Sequence, residues 1–203
     1  MYETLNMKHK LSTNSWAFDL DDVQFCAYWE NAFTKEECNK IVKSIKKQPK
    51  LLTQGKTLGK TVKDVRKSNI FWIGASEDTS WIYKRLTSII TDLNNRYFKF
   101  DIYGIIEALQ FTNYKAPGDK YGKHLDKSTN HLIRKLSVSV QLTDPKEYKG
   151  GELMLYSAEE PYVMKKEQGS LSLFPSYVLH EVTPVTKGER NSLVTWVTGK
   201  PFK

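Results

Sequence analysis

The chain has 203 residues, 39% hydrophobic and 27% charged, with 31 Lys plus Arg against 23 Asp plus Glu, a formal net charge of +8. That length suffices for one domain with a sizeable core and is tight for two, and the composition excludes collagen, coiled coil and wholesale disorder. No apolar run nears the roughly 18 residues of a membrane span, and Cys26 and Cys38 lack zinc or CxxC spacing, so a reducing, cytoplasmic setting is expected.

In chain order, Met1 to Leu11 is polar and carries lysines without an apolar stretch; no signal peptide is expected, and residues 1–15 read as a loose arm. Trp16 to Trp29 mixes aromatic and acidic residues and reads as a strand-like lead-in. Thr34-Lys35-Glu36-Glu37 matches a capping box. Cys38, Ile41, Val42 and Ile45 then share one helical face, and Pro49 ends the helix. Lys43, Lys46, Lys47 and Lys50 read as its solvated side, with an acidic partner such as nucleic acid as the second reading. Residues 50–69 carry Gly55 and Gly59 among polar residues and read as a loop with short extended pieces. Asn69 to Ile73 is a strand candidate. A second helix starts near Asp78 or Thr79, with Ile82, Leu86, Ile89, Ile90, Leu93 and Tyr97 as its apolar stripe.

Beyond Phe100 the pattern becomes short strands and turns. Leu136, Val138, Val140 and Leu142 alternate with Ser137, Ser139 and Gln141, a strand half-buried on one face. Asp144-Pro145 and Gly150-Gly151 signal turns. Segments at 153–156, 162–164, 171–174, 177–179 and 193–198 continue the series, which points to a sandwich, jelly roll or barrel with the two helices outside. The fold class is therefore α+β, mainly β. A single domain over 1–203 is expected, with 16–99 a helical support region and 100–200 the β-rich core.

Two of the four histidines stand in chemical contexts. In His124-Leu125-Asp126 the imidazole and carboxylate point to one side of an extended segment. His180 lies on or beside a later strand. Folded together, these three make a two-histidine, one-carboxylate face, which leaves three metal positions open and is the mark of non-haem Fe(II) oxygenases. An HxD alone also occurs as a surface histidine beside a solvated aspartate, so the third ligand carries the argument. Arg190 lies ten residues after His180. A hairpin around Pro184 and Gly188 would return it on the neighbouring strand, where its guanidinium could grip a carboxylate through two parallel bonds. Ser192 points the same way. His131 reads as a loop histidine and His9 as part of the arm, while Trp72 and Trp81 read as packing residues.

These motifs resemble the 2-oxoglutarate- and Fe(II)-dependent dioxygenases, and within them the prolyl 4-hydroxylase-like group that includes the PKHD-type hydroxylases. The resemblance is carried by Phe174 to Arg190, by Leu109 to Tyr114 with Gly118, Tyr121, His124 and Asp126, and by Asp144-Pro145 followed by Gly150-Gly151-Glu152-Leu153. It covers residues 100–200, with the capped helix before them less specific. It implies a double-stranded β-helix (jelly-roll) core. It implies Fe(II) on His124, Asp126 and His180, and 2-oxoglutarate on Arg190 with Tyr114 and Ser192. O2 is the co-reactant, and the resemblance also admits ascorbate. Gln141 stands where some prolyl hydroxylases have a tyrosine, a departure at the cosubstrate site. Asp126 favours hydroxylation over halogenation, because related halogenases lack that carboxylate.

The leading activity so implied is hydroxylation of a C–H bond on a prolyl residue of a protein or peptide, with release of succinate and CO2. Residues 50–69 and 115–123 would then face the substrate. A hydroxylase of a free amino acid or small metabolite is an alternative. A nucleic-acid demethylase is another; its typical second arginine, six residues after the first, is here Trp196. A catalytically inactive jelly-roll module is the non-enzyme reading. No membrane partner is expected, the oligomeric state stays open, and a bacterial or viral cytoplasm suits the compact basic chain.

Overall fold

The computed structural model describes residues 23–55, 65–127, 133–157 and 160–201. The expectations for the 1–15 arm, for His9 and for His131 fall outside these residues. Strand β1 (Ala27–Trp29) precedes helix α1 (Lys35–Lys46), which begins at the capping box read from the sequence: the Thr34 side chain accepts from Glu37 N, and the Glu37 side chain accepts from Thr34 N. Short strands β2 (Thr53–Gln54) and β3 (Arg66–Lys67) lead to β4 (Asn69–Ile73). Helix α2 (Ser80–Leu93) buries Ile82, Leu86, Ile89, Ile90 and Leu93, the stripe expected of it, and runs on into a π-helical turn over Asn94–Phe98.

The β-rich part then comprises β5 (Ile102–Gly104), β6 (Leu109–Lys115), β7 (Lys120–His124), β8 (Arg134–Gln141), β9 (Tyr148–Gly150), β10 (Leu153–Tyr156), β11 (Tyr162–Val163), β12 (Leu171–Pro175), β13 (Leu179–Val182) and β14 (Val185–Gly199). The described residues form two antiparallel sheets. The larger has nine strands, in the order β1-β12-β8-β14-β6-β4-β2 with β5 and β9 also on β14; the smaller has five, in the order β11-β10-β13-β7-β3. This is the double-stranded β-helix expected from the sequence.

Period-two alternation assigns the faces. On β6, Leu109 and Phe111 pack toward α1 and α2, as do Leu136, Val138 and Val140 of β8 and Leu193 and Val197 of β14. The intervening Gln110, Thr112, Tyr114, Ser137, Ser139, Arg190, Ser192 and Trp196 line the space between the sheets. A second apolar cluster, with Tyr28, Tyr114, Leu155, Phe174 and Val185, closes part of that interior.

The strand expected at Asn69–Ile73 is β4, which pairs along its whole length with β6, and β1 pairs with β12, so the described part of 16–99 extends the large sheet as well as covering it. Two expectations change. The polar side of β8 faces the barrel interior rather than solvent, and Ser137, Ser139 and Gln141 are all buried. Pro184 and Gly188 do not frame a hairpin. The link from β13 to β14 is Thr183-Pro184 alone, and β14 then runs unbroken through Gly188 to residue 199. Gly188 has φ +73° and lies against β9, where an added Cβ would sit 2.1 Å from Glu147 O. It is a kink that only glycine tolerates, not a turn.

Candidate active site

His124 closes β7 and Asp126 follows just past the strand end. Leu125 between them is half exposed while both flanking side chains turn inward, the i, i+2 relationship of an extended chain. His180 sits on β13 directly opposite His124 in the ladder. One ligand atom from each of the three lies within 4.8 Å of the others. Asp126 Oδ1 is 3.6 Å from His124 Nε2, and Asp126 Oδ2 is 3.4 Å from His180 Nε2.

The outward ring nitrogens are tied down. His124 Nδ1 meets Gly122 O at 2.8 Å and His180 Nδ1 meets Val178 O at 2.9 Å. A carbonyl only accepts, so each Nδ1 donates and each neutral ring turns its Nε2 lone pair inward. Tyr121 stacks on His124 at 3.5 Å between centroids, and Phe174 meets His180 edge-on at 4.8 Å. Both rings are thus held in plane as well as in tautomer, the arrangement that conditions a metal ligand.

The electrostatics fit a cation. Burial opposes the Asp126 charge, but His180, His124 and hydrogen bonding hold its carboxyl well below the usual range. Burial and the neighbouring His180 push His124 down to about 4. Burial works against a charged His180 too, yet the Asp126 carboxylate overrides it and raises that pKa. Two imidazoles and one carboxylate on one face are a donor set that suits Fe(II).

Arg190 lies in the opposite sheet. It does not return beside His180 on a neighbouring strand, as a hairpin would have placed it; β14 pairs with β6 and β8, and Arg190 reaches the interior from across the barrel. Its side chain is 1% exposed, and its Nε is buried with no partner among the described residues. Nη1 donates to Ser192 Oγ at 3.5 Å, and the guanidinium lies 5.4 Å from the ring of Tyr114, its register partner on β6. Burial raises the Tyr114 pKa, against the lowering effect of Arg66 and Arg190. A buried cation with a donor to spare is a site that awaits an anion. Gln141, opposite Ser192, donates instead to the Tyr148 hydroxyl at 3.3 Å, which brings a phenol to this end of the barrel from another strand.

The six residues singled out from the sequence, His124, Asp126, His180, Tyr114, Arg190 and Ser192, line one cavity of about 620 Å3. Others in its wall were not read as site residues. Arg66 on β3 is 6% exposed, bonds Ser68 Oγ at 3.0 Å and Gln110 Oε1 at 2.8 Å, and lies 4.5 Å over the Tyr121 ring. The Gln110-Thr112-Tyr114 alternation could have pointed to the first two of these as cavity residues. Trp72, expected only to pack, is 45% exposed at the cavity and pairs with Trp196 at 6.3 Å. Trp81 does pack, edge-on to Phe33.

Comparison with known proteins agrees with this geometry. Residues 109–198 match the model of the 2OG-Fe(II) oxygenase superfamily. The chain is 39% identical over 95 residues to a PKHD-type hydroxylase of Gloeothece citriformis, which covers 45% of this chain and 43% of that protein. It is 32% identical over 125 residues to one of Klebsiella pneumoniae, covering 57% of this chain and 55% of the relative. The chain thus spans about half the length of the curated relatives it matches. In fold it is similar to a Pseudomonas putida prolyl-4-hydroxylase, with TM-score 0.70 and 20% identity over 87% of this chain and 94% of that one. It is also similar to a Trichoplax adhaerens prolyl hydroxylase solved with a hypoxia inducible factor peptide, with TM-score 0.75 and 21% identity over 86% and 84% of the two chains.

Proposed function

We propose that this chain, whose jelly-roll core belongs to the 2OG-Fe(II) oxygenase superfamily, is a dioxygenase that hydroxylates a C–H bond on a prolyl residue of a protein or peptide. The observation that carries the reading is the convergence of His124, Asp126 and His180 on one side of a cavity whose far wall holds buried Arg190.

In this reading His124, Asp126 and His180 would hold Fe(II). Iron so held supplies the redox chemistry by which O2 and 2-oxoglutarate become succinate, CO2 and a hydroxyl group on substrate carbon. Arg190 binds the far carboxylate of 2-oxoglutarate with its unpartnered Nε and its fork of N–H groups, and Ser192 and Tyr114 flank it. Their burial keeps water from competing for that carboxylate. In the cavity wall, half-exposed Trp72, tilted against buried Trp196, offers an apolar ring face that suits a peptide bearing a pyrrolidine ring. The peptide complex of the Trichoplax relative supports a peptide substrate. Cys26 and Cys38 are unpaired and buried, and no described helix is long and apolar enough to cross a membrane; the thiols support the reducing cytoplasm expected from the sequence.

The test is incubation with Fe(II), 2-oxoglutarate and proline-containing peptides in air, with succinate and peptide mass both measured. One added oxygen per succinate on a prolyl residue is expected. The same stoichiometry on free amino acids alone would move the substrate to the small-metabolite class. No succinate from metal-loaded protein with any substrate would leave the binding-module reading.

A further inference from the structure

The mechanism above leaves two buried hydroxyls beside the triad without a task. We propose that Ser137 is a positioning residue for the iron site, holding one oxygen of Asp126 so that the other faces the metal, and that Ser176 braces it. The proposal rests on reading Asp126 as an iron ligand.

Ser137 Oγ donates to Asp126 Oδ2 at 2.8 Å. A serine has one hydroxyl hydrogen, so the contact of 3.0 Å between Ser137 Oγ and Ser176 Oγ must be donated by Ser176. The chain therefore runs from Ser176 to Ser137 to Asp126, each bond polarising the next. Ser137 is 1% and Ser176 0% exposed, so bulk water does not compete.

The two serines join parts that carry different ligands. Asp126 lies past the end of β7, where no ladder bond among the described residues fixes it. Ser176 lies in the turn between β12 and β13, anchored by its own N–H to Lys135 O at 2.9 Å, and that turn leads into His180. Ser137 stands between Phe174 and Trp196 in the β12–β8–β14 register. Phe174 packs on His180, and the indole N–H of Trp196 also favours the Asp126 carboxylate. The backbone of Asp126 is held separately: Arg134, gripped by Glu107 at 2.6 and 2.5 Å, donates to Asp126 O at 3.4 Å. Ser137 thus supplies what Arg134 does not, the side-chain orientation. A carboxylate with one oxygen engaged offers a single oxygen to iron. The positions needed by a chelating cosubstrate and by O2 then remain open.

The experiment titrates the full chain with Co(II), an oxygen-stable stand-in, and reads affinity by chelator competition together with the visible d–d bands. Near-ultraviolet circular dichroism reports the fold. Ser137→Ala is expected to weaken Co(II) binding by about tenfold or more and to change the bands, while Ser137→Thr, which keeps the hydroxyl, stays within about threefold of wild type. Ser176→Ala is expected to weaken binding by about fivefold, beyond the threefold margin yet less than Ser137→Ala, and carries the test if that variant does not fold. Wild-type affinity and bands in a folded Ser137→Ala, or in Ser176→Ala where the first variant does not fold, overturn the proposal. So does a folded Ser137→Thr that behaves like alanine. Failure of the wild-type chain to bind Co(II) would instead overturn the iron-site reading beneath it.

Discussion

His180 faces His124 directly across the β7–β13 ladder, with ring centroids 4.1 Å apart. The pairing of these two strands therefore sets the separation of the two imidazoles, and the third ligand is added where β7 runs out. Each ring is bound through Nδ1 to a carbonyl two residues before it. The same local device thus orients both ligands: the carbonyl two residues back, Gly122 within β7 and Val178 just before β13.

Arg190→Lys keeps the charge and loses the planar fork. Hydrogen bonds to charged groups contribute about 1.5–3 kcal/mol each, and about 1.4 kcal/mol is tenfold in affinity. The dissociation constant for 2-oxoglutarate should rise about ten- to a hundredfold while metal affinity is retained. Calorimetric titration of the two ligands in turn checks both halves.

Metal binding needs neutral imidazoles. His180 is raised above its ordinary 6.5, whereas His124 is pushed down to about 4. As pH falls from 6.5 toward 4, the metal therefore competes with one proton, that of His180, and Co(II) affinity should fall about tenfold per pH unit. Below about 4 the second imidazole joins and the slope should double. A slope of two across the upper window would contradict the separate roles of the two rings.

Thr34→Ala removes the hydroxyl that accepts from Glu37 N in the first turn of α1 and leaves only the backbone half of the box, Thr34 N to the Glu37 carboxylate, which also pairs with Arg85. The expected cost is about 1 kcal/mol, read as a lower urea midpoint, with Co(II) affinity unchanged because α1 lies outside the cavity.

Burial pushes the thiols of Cys26 and Cys38 up to about 12. The thiolate is the reactive form, so neither should alkylate with iodoacetamide in the native protein at pH 8. Both should alkylate once the chain is unfolded, as intact mass would record.

The site was legible in the sequence where chemistry is local. His124 and Asp126 share a side because an extended chain alternates, and the Thr34–Glu37 box is written within four residues. What stayed hidden depends on which water-free space a face meets. Ser137, Ser139 and Gln141 alternate with apolar residues as a solvent-facing edge would, and only the second sheet turns that face inward. Gly188 gives the same signal as a turn, but opposite β9 it becomes a kink within one strand. Arg190 therefore reaches the cavity from the facing sheet rather than from beside His180. Arg66 lies isolated in a polar stretch, and pairing of Arg66 with Tyr121 brings it into the cavity wall.

The most direct test of the account is optical. Fe(II) and then 2-oxoglutarate are added to the purified protein without oxygen, and the visible spectrum is recorded. Chelation of protein-bound iron by the keto acid should give a weak charge-transfer band, absent in His180→Ala and weakened in Arg190→Ala. A folded, metal-loaded wild-type protein that shows no such band would contradict the assignment of His124, Asp126, His180 and Arg190 as one active centre.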